Sequence, residues 1–253
     1  MDVLYEPLLV SVTLRSGSVA ADPRTGVMLD GLLASVVRDR QKKERGILSG
    51  SLLDGGLSER NPAAVDLPLL RCVRVGAEED WHWVSSVPRC YDDTGELVTV
   101  PEEDVRHLYS RMGEKVVENV SDRLPLNLHP SQGRYKMRRI PVVTTICSRM
   151  EWATVGDRAQ VEDLLGDVFS VGGERGRGEG LTAGWEVVSV PEAAQYWGHV
   201  WEDGVPARPA TSACPSEVRA VHDGSGSVVV GVRPPYWHAS VQRQALAGGL
   251  FCR

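Results

Sequence analysis

The sequence predicts an α+β protein in which antiparallel sheets each carry a helix on one face. Three observations predict it. Residues 3–15 alternate, with Leu8, Val10, Val12 and Leu14 on one face and Leu9, Ser11, Thr13 and Arg15 on the other, as a half-buried strand does. The run Val142–Val155 is rich in β-branched and aromatic residues, the composition of a strand. Apolar residues recur at helical spacing twice, at Leu29, Leu32, Leu33, Val36 and Val37, and at Val161, Leu164 and Leu165. The order is strand, helix, strands, long loop, strand, helix, glycine-rich loop, strand. That order suggests two modules, with the ferredoxin-like or RNA-recognition-motif arrangement as the first candidate. The expected division is an N-terminal module with long loops at 1–130, a smaller module at 131–190, and a C-terminal extension at 191–253.

Each element has a local reason. Asp30 is placed to cap the first helix, which runs into the charged segment Arg38–Arg45. Such a run is either a solvated helix end favoured by the macrodipole or a phosphate contact. Residues 46–66 hold Gly50, Gly55, Gly56, Asn61 and Pro62 and read as a long loop. Leu69–Val75 and Trp81–Ser86 read as strands, and Asp92-Asp93-Thr94-Gly95 as a hairpin turn. The segment Glu102–Gly113 is expected to form a short helix, and 114–131 an extended loop. Asp157 caps the second helix and Gly166 stops it. Glu192–Trp201 is expected to be helical, with Trp197 and Trp201 at i, i+4. Val228–Val232 reads as a short strand, and Tyr236-Trp237 as a packing plug rather than a base platform.

Composition narrows the function classes. The chain has 253 residues, 42% hydrophobic and 25% charged, enough for a sizeable core. Its net charge of −6 argues against a protein that coats nucleic acid with its whole surface, and leaves room for a local basic groove. Cys72, Cys90, Cys147, Cys214 and Cys252 are scattered without a C-x-x-C pair, so spacing indicates neither a zinc site nor a disulfide framework. No metal, cofactor or small-molecule substrate is expected. The N-terminus lacks the pattern of a signal peptide and no apolar run approaches spanning length, so a cytoplasmic protein without membrane contact is expected.

Two stretches suit nucleic acid. In Gly172-Gly173-Glu174-Arg175-Gly176-Arg177-Gly178-Glu179-Gly180 the backbone is little shielded and can approach another surface closely. Arg175 and Arg177 add groups suited to bidentate phosphate contact. No Gly-Lys-Ser/Thr follows, so this is not a Walker A loop. A strand rather than a helix follows Gly176-Arg177-Gly178, so it is not a dinucleotide fingerprint. Either a surface hairpin or a backbone clamp on a nucleic-acid strand remains, with Gly173, Arg175, Gly176, Arg177 and Gly178 as its contacts. Gly133–Ile140 contains Arg134, Lys136, Arg138 and Arg139 with Tyr135 interleaved and no acid. It suits phosphate contact plus base stacking, or else an edge strand bearing protective charges.

Met28-Leu29-Asp30-Gly31-Leu32-Leu33-Ala34 after the first strand resembles the opening of the RAMP (repeat-associated mysterious protein) superfamily of CRISPR effector proteins. Tyr135-Lys136-Met137-Arg138, the Val142–Val155 strand and the loop from Phe169 to Gly180 followed by Gly184-Trp185-Glu186-Val187 extend the resemblance over roughly residues 4–190. It is most similar to the subunit that caps the 5′ handle of the guide RNA (crRNA) in type IV systems. The resemblance implies a modified RNA-recognition fold that grips the repeat-derived end of a guide RNA and adjoins the backbone and large subunits of an effector complex. Its glycine loop would meet RNA or a neighbouring module.

Some members of that superfamily cut precursor guide RNA without a metal, which needs a base near the 2′-OH and a cation for the developing charge. His129, beside the basic stretch, is the catalytic candidate. His82, between Trp81 and Trp83, reads as a packed residue. The acidic clusters Glu78-Glu79-Asp80 and Asp92-Asp93 read as turns rather than magnesium ligands. Three functions follow: a non-catalytic guide-RNA subunit, a metal-independent endoribonuclease, and a protein scaffold without RNA contact.

Overall fold

The computed structural model describes residues 4–21, 26–44, 65–75, 77–98, 103–110, 138–173 and 178–248. In chain order the elements are β1 (Glu6–Leu14), β2 (Ser18–Val19), α1 (Leu29–Glu44), β3 (Arg71–Arg74), β4 (Ala77–Trp83), β5 (Arg89–Tyr91), β6 (Glu103–Ser110) and β7 (Arg138–Ile146). They continue as β8 (Arg149–Gly156), α2 (Arg158–Leu165), β9 (Thr182–Ser189), α3 (Ser216–Val221), β10 (Ser227–Gly231) and β11 (Gln242–Leu246). The main sheet has the order β5-β8-β1-β9, with every neighbouring pair antiparallel. Smaller sheets are β2-β7-β6, β3-β4 and β10-β11. The fold is thus α+β with several antiparallel sheets. β1 is hydrogen-bonded on one edge to β8 and on the other to β9, so strands from 1–130 and 131–190 share one sheet.

The alternation in β1 decides which face is inside. Leu8, Val10 and Val12 lie opposite Thr154, Trp152 and Met150 of β8, and this face is buried. Leu29, Leu32, Leu33 and Val36 of α1 and Val161, Leu164 and Leu165 of α2 pack on it. Each such side chain removed from water contributes on the order of 1.5–3 kcal/mol. The indoles of this core find acceptors: buried Trp152 Nε1 donates to the Val27 carbonyl at 2.7 Å, and half-buried Trp185 Nε1 to that of Val168 at 2.9 Å. Asp157 caps α2 by accepting from the Gln160 amide at 3.0 Å. In the basic run, Arg40 does not face solvent alone. Its guanidinium donates to Asp163 and Asp167 and ties α1 to α2.

Several local expectations are corrected, and the strand expected over 142–155 is two, β7 and β8, broken at Cys147-Ser148 and lying in different sheets. Glu103–Ser110 is a strand, paired residue for residue with β7 from Glu103↔Thr145 to Ser110↔Arg138. The backbone of 192–201 forms turns instead of a helix. Gly198 reverses it at φ +85°, sitting so close to Val84 and the Ala153 carbonyl that a side chain would collide. Trp197 and Trp201 still meet, edge to face at 6.2 Å. Asp30 is not a cap but lies inside the first turn of α1, fully buried, and accepts from the Gly31 amide and from the Tyr236 hydroxyl. A side chain on Gly31 would meet the Tyr236 ring at 3.3 Å. Asp30-Gly31 is therefore the seat of a C-terminal tyrosine, which bears out Tyr236 as a packing residue, while Trp237 stays exposed.

The segment after β9 returns across the outer face of the main sheet. Trp197, Trp201 and Ala207 pack with Ala153, Leu9 and Val155, and Trp197 Nε1 donates to the Leu8 carbonyl at 2.8 Å. Arg208 is buried, and its guanidinium donates to the carbonyls of Trp83, Ser85 and Val232. No helix among the described residues is long and apolar enough to cross a membrane.

Candidate nucleic-acid interface

The glycine-rich loop stands on a built stem. Between α2 and β9 the chain closes a short bridge at Ser170↔Leu181. The Val171 amide donates to the Gly180 carbonyl at 2.9 Å, and the Thr182 amide to that of Phe169 at 3.0 Å. The Arg15 amide donates to the Leu181 carbonyl at 2.8 Å, which ties the stem to β1. The Gly173 amide donates to the Ala20 carbonyl just past β2. Ser18 Oγ donates to Glu179 Oε2 at 3.5 Å, so this acid turns inward.

The glycines divide by role. Gly172 has φ +81°, and a Cβ there would lie 2.4 Å from the Ala20 carbonyl oxygen. Gly180 has φ +63°, with the Val171 carbonyl oxygen 2.0 Å from such a Cβ. Both serve close packing within the chain. Gly178 also has a left-handed φ, +86°, but among the described residues only Leu181 Cδ1 lies near, at 3.9 Å. Arg175, Gly176 and Arg177 lie outside the described residues. Phe169, at the foot of the stem, is 74% exposed, an aromatic face that sequence reasoning used only as part of a motif.

Of the basic stretch, Arg134, Tyr135 and Lys136 lie outside the described residues. Arg138 and Arg139 begin β7, paired with Ser110 and Tyr109. The other end of β7, Thr145 and Ile146, pairs with β2, beside the glycine loop. At ~3.3 Å per residue, Arg138 is roughly 25 Å along this strand from the end that pairs with β2.

The outer face of the main sheet is the surface on which an RNA-recognition motif stacks bases. Here Trp197 and Trp201 cover one end of it. Beyond them, the register places Ser11 between Glu151 and Glu186, and Thr13 between Arg149 and Gly184. Arg149 is engaged by Glu151 and lies 5.2 Å over the Tyr91 ring, and Arg89 is engaged by Asp203 and lies 4.3 Å over Trp201. Among the described residues this face carries both signs of charge and does not form a basic track.

The turn reading holds for Asp92, whose Oδ1 accepts from the Thr94 and Glu96 amides, both at 2.9 Å, but Glu78-Glu79-Asp80 lies within strand β4, paired with β3, where Asp80 pairs with Arg243 at 3.3 Å. The histidines distribute as follows. His129 lies outside the described residues. His222 is buried, with ring nitrogens 2.9 and 2.8 Å from the carbonyls of Val218 and Arg208. His238 caps a three-ten turn at Ala239–Val241. His82 is buried and faces His199, with Nε2 to Nε2 at 3.0 Å. Burial first, and then the Arg208 charge, push the His82 imidazole down to about 4. Cys72 and Cys214 close the same group, which no sequence spacing announced. Cys214 is held well below the usual thiol value, chiefly by the hydrogen bond from Cys72. That bond, and then burial, push Cys72 up.

A search of the curated proteins finds no match to the chain. A protein-family model described as CRISPR type IV associated protein Csf3 matches residues 6–247, from the first residue of β1 to just beyond β11. It spans the glycine loop, both flanks of β7 and the segment that covers the sheet, and the chain belongs to this Csf3 family of type IV CRISPR-associated RAMP proteins.

Proposed function

We propose that the protein is a non-catalytic subunit that holds the repeat-derived 5′ end of a guide RNA and caps a type IV effector ribonucleoprotein, against its backbone and large subunits. The observation that carries this is the family match over residues 6–247. Two features of the fold support it. The β-α-β-β-α-β order of β1, α1, β5, β8, α2 and β9, with β1 and β8 central, corresponds to the ferredoxin-like arrangement of RNA-recognition motifs. The glycine loop is braced at its stem, and among the described residues nothing crowds Gly178. In this reading the loop replaces the covered sheet face as the RNA contact. Gly173 and Gly178 form its shoulders, Arg175, Gly176 and Arg177 complete it, and exposed Phe169 offers a stacking surface. Arg134, Tyr135, Lys136, Arg138 and Arg139 supply a second contact at the far end of β7. The net charge of −6 suits a subunit whose other faces meet protein.

The test is to co-express the protein with its neighbouring subunits, purify the assembly and sequence the nucleic acid that travels with it. Short RNAs sharing one repeat-derived 5′ end are expected. No RNA, or random fragments stripped by moderate salt, would overturn the proposal in favour of a protein scaffold. Site-specific cleavage of repeat RNA in EDTA, lost in His129→Ala, would overturn the non-catalytic part alone.

A further inference from the structure

Four side chains with metal-ligand chemistry meet where the covering segment crosses the β3-β4 hairpin. Cys72 comes from β3, His82 from β4, His199 from the turn after Trp197, and Cys214 from the turn before α3. Their ligand atoms all lie within 4.8 Å of one another. His82 Nε2 is 3.0 Å from His199 Nε2 and 3.7 Å from Cys214 Sγ. His82, His199 and Cys214 are buried, and Cys72 is half-buried.

We propose that Cys72, His82, His199 and Cys214 bind one zinc ion in a closed, structural Cys2His2 site. Zinc bonds of about 2.3 Å to sulfur and about 2.0 Å to nitrogen set the edges of a tetrahedron at roughly 3.3–3.8 Å. The Nε2–Nε2 separation of 3.0 Å falls just short of that range and the Nε2–Sγ separation of 3.7 Å lies within it, and the 4.8 Å limit leaves little more than about an ångström to be closed by side-chain rotation. Two sulfurs and two imidazoles in a tetrahedron select zinc among the common divalent ions. Four protein ligands leave no position for a substrate or a reactive water, so the site is structural and not catalytic.

Without an ion, two neutral imidazoles facing Nε2 to Nε2 share one N–H···N bond. A cation between the rings uses both Nε2 lone pairs at once. The cysteines bind as thiolates and their protons pass to solvent, so the ion is neutralised within the site.

The consequence is mechanical. The ligands on β3 and β4 are separated from His199 and Cys214 by more than a hundred residues of chain, and one ion joins them. Zinc would fasten the segment bearing Trp197 and Trp201 across the outer face of the main sheet. Whether that face is open or closed would then depend on the metal.

The full-length protein, purified without chelator, is assayed for metal by mass spectrometry and then loaded with cobalt. About one zinc per chain is expected. The cobalt form should show the intense visible bands of a tetrahedral ion and a near-ultraviolet thiolate charge-transfer band. Cys72→Ser, at the half-buried ligand, should weaken that band and lower retained zinc at least tenfold after brief exposure to EDTA. Cys90→Ser, outside the cluster, should leave both unchanged. Because Cys214→Ser or His82→Asn risks misfolding, the cobalt spectrum of the unaltered chain is the decisive reading. Folded protein with no zinc and no tetrahedral cobalt spectrum would overturn the proposal. So would a folded Cys72→Ser variant with the original spectrum, or a Cys72–Cys214 disulfide in protein kept free of oxidants.

Discussion

At the scale of single residues, buried charge is what holds the C-terminal third to the rest. Arg208 donates to three main-chain carbonyls, those of Trp83, Ser85 and Val232. Arg208→Met leaves these acceptors buried and bare, and should lower the unfolding free energy by about 3 kcal/mol or more. Urea denaturation checks this, and Arg208→Lys should not rescue it, since one ammonium lacks the fork that reaches all three. Asp30 gives a pH prediction. Burial raises its carboxyl above the ordinary value, partly opposed by Arg208 and the Tyr236 hydrogen bond. The folded protein therefore keeps a proton that the unfolded chain has lost above about pH 4. Its stability contribution is full below that pH and falls as pH rises toward the folded value. The stability of the unaltered chain minus that of Asp30→Asn should decrease as pH rises above about 4. A difference that grows instead would mean that Arg208 holds the carboxylate ionised. Asp30 and Gly31 were legible as part of a motif, but their reason was not, because Tyr236 arrives from the other end of the chain.

At the scale of elements, the long, regular segments were legible. β1 and α2 follow from alternation and the Asp157 cap, which act within a few residues, and β-branching marks 142–155 as strand without showing its division into β7 and β8. β6 was not legible. Glu103–Ser110 has mixed polarity, and its conformation is decided by pairing with β7 along its length. The tryptophans at 197 and 201 have helical spacing, yet Gly198 at φ +85° excludes a helix there. The glycine loop is also more divided than its composition suggests. Gly180→Ala places a methyl group against the Val171 carbonyl in a left-handed backbone, and should cost more than about 2 kcal/mol. Gly178→Ala meets no described residue closer than Leu181 at 3.9 Å, and should cost only about 1 kcal/mol from its φ. Thermal denaturation of the two variants checks the order. On the proposed function, Gly178→Val should impair retention of guide RNA more than it impairs folding.

At the scale of the whole molecule, an acidic protein can hold RNA only through a local site. The affinity of the assembled subunit should fall with salt, with a slope of log K against log salt near −0.7 per phosphate contact. Arg138→Ala and Arg139→Ala should each weaken binding modestly and reduce that slope by about 0.7. Titration of labelled repeat RNA at several salt concentrations checks this. An unchanged slope in the double variant would remove the start of β7 from the interface, leaving the glycine loop as the contact.

The amino-acid order determined the α+β class, the main strands, the two core helices and the glycine loop as a distinctive feature, because these rest on periodicity and local backbone preference. It also carried the family resemblance, since motifs are contiguous. Only the tertiary structure decided what covers the outer sheet face, why Asp30 and Gly31 stand where they do, and that Cys72, His82, His199 and Cys214 share one site. Those outcomes depend on contacts between residues more than a hundred positions apart, and no spacing along a chain encodes a distance across a fold.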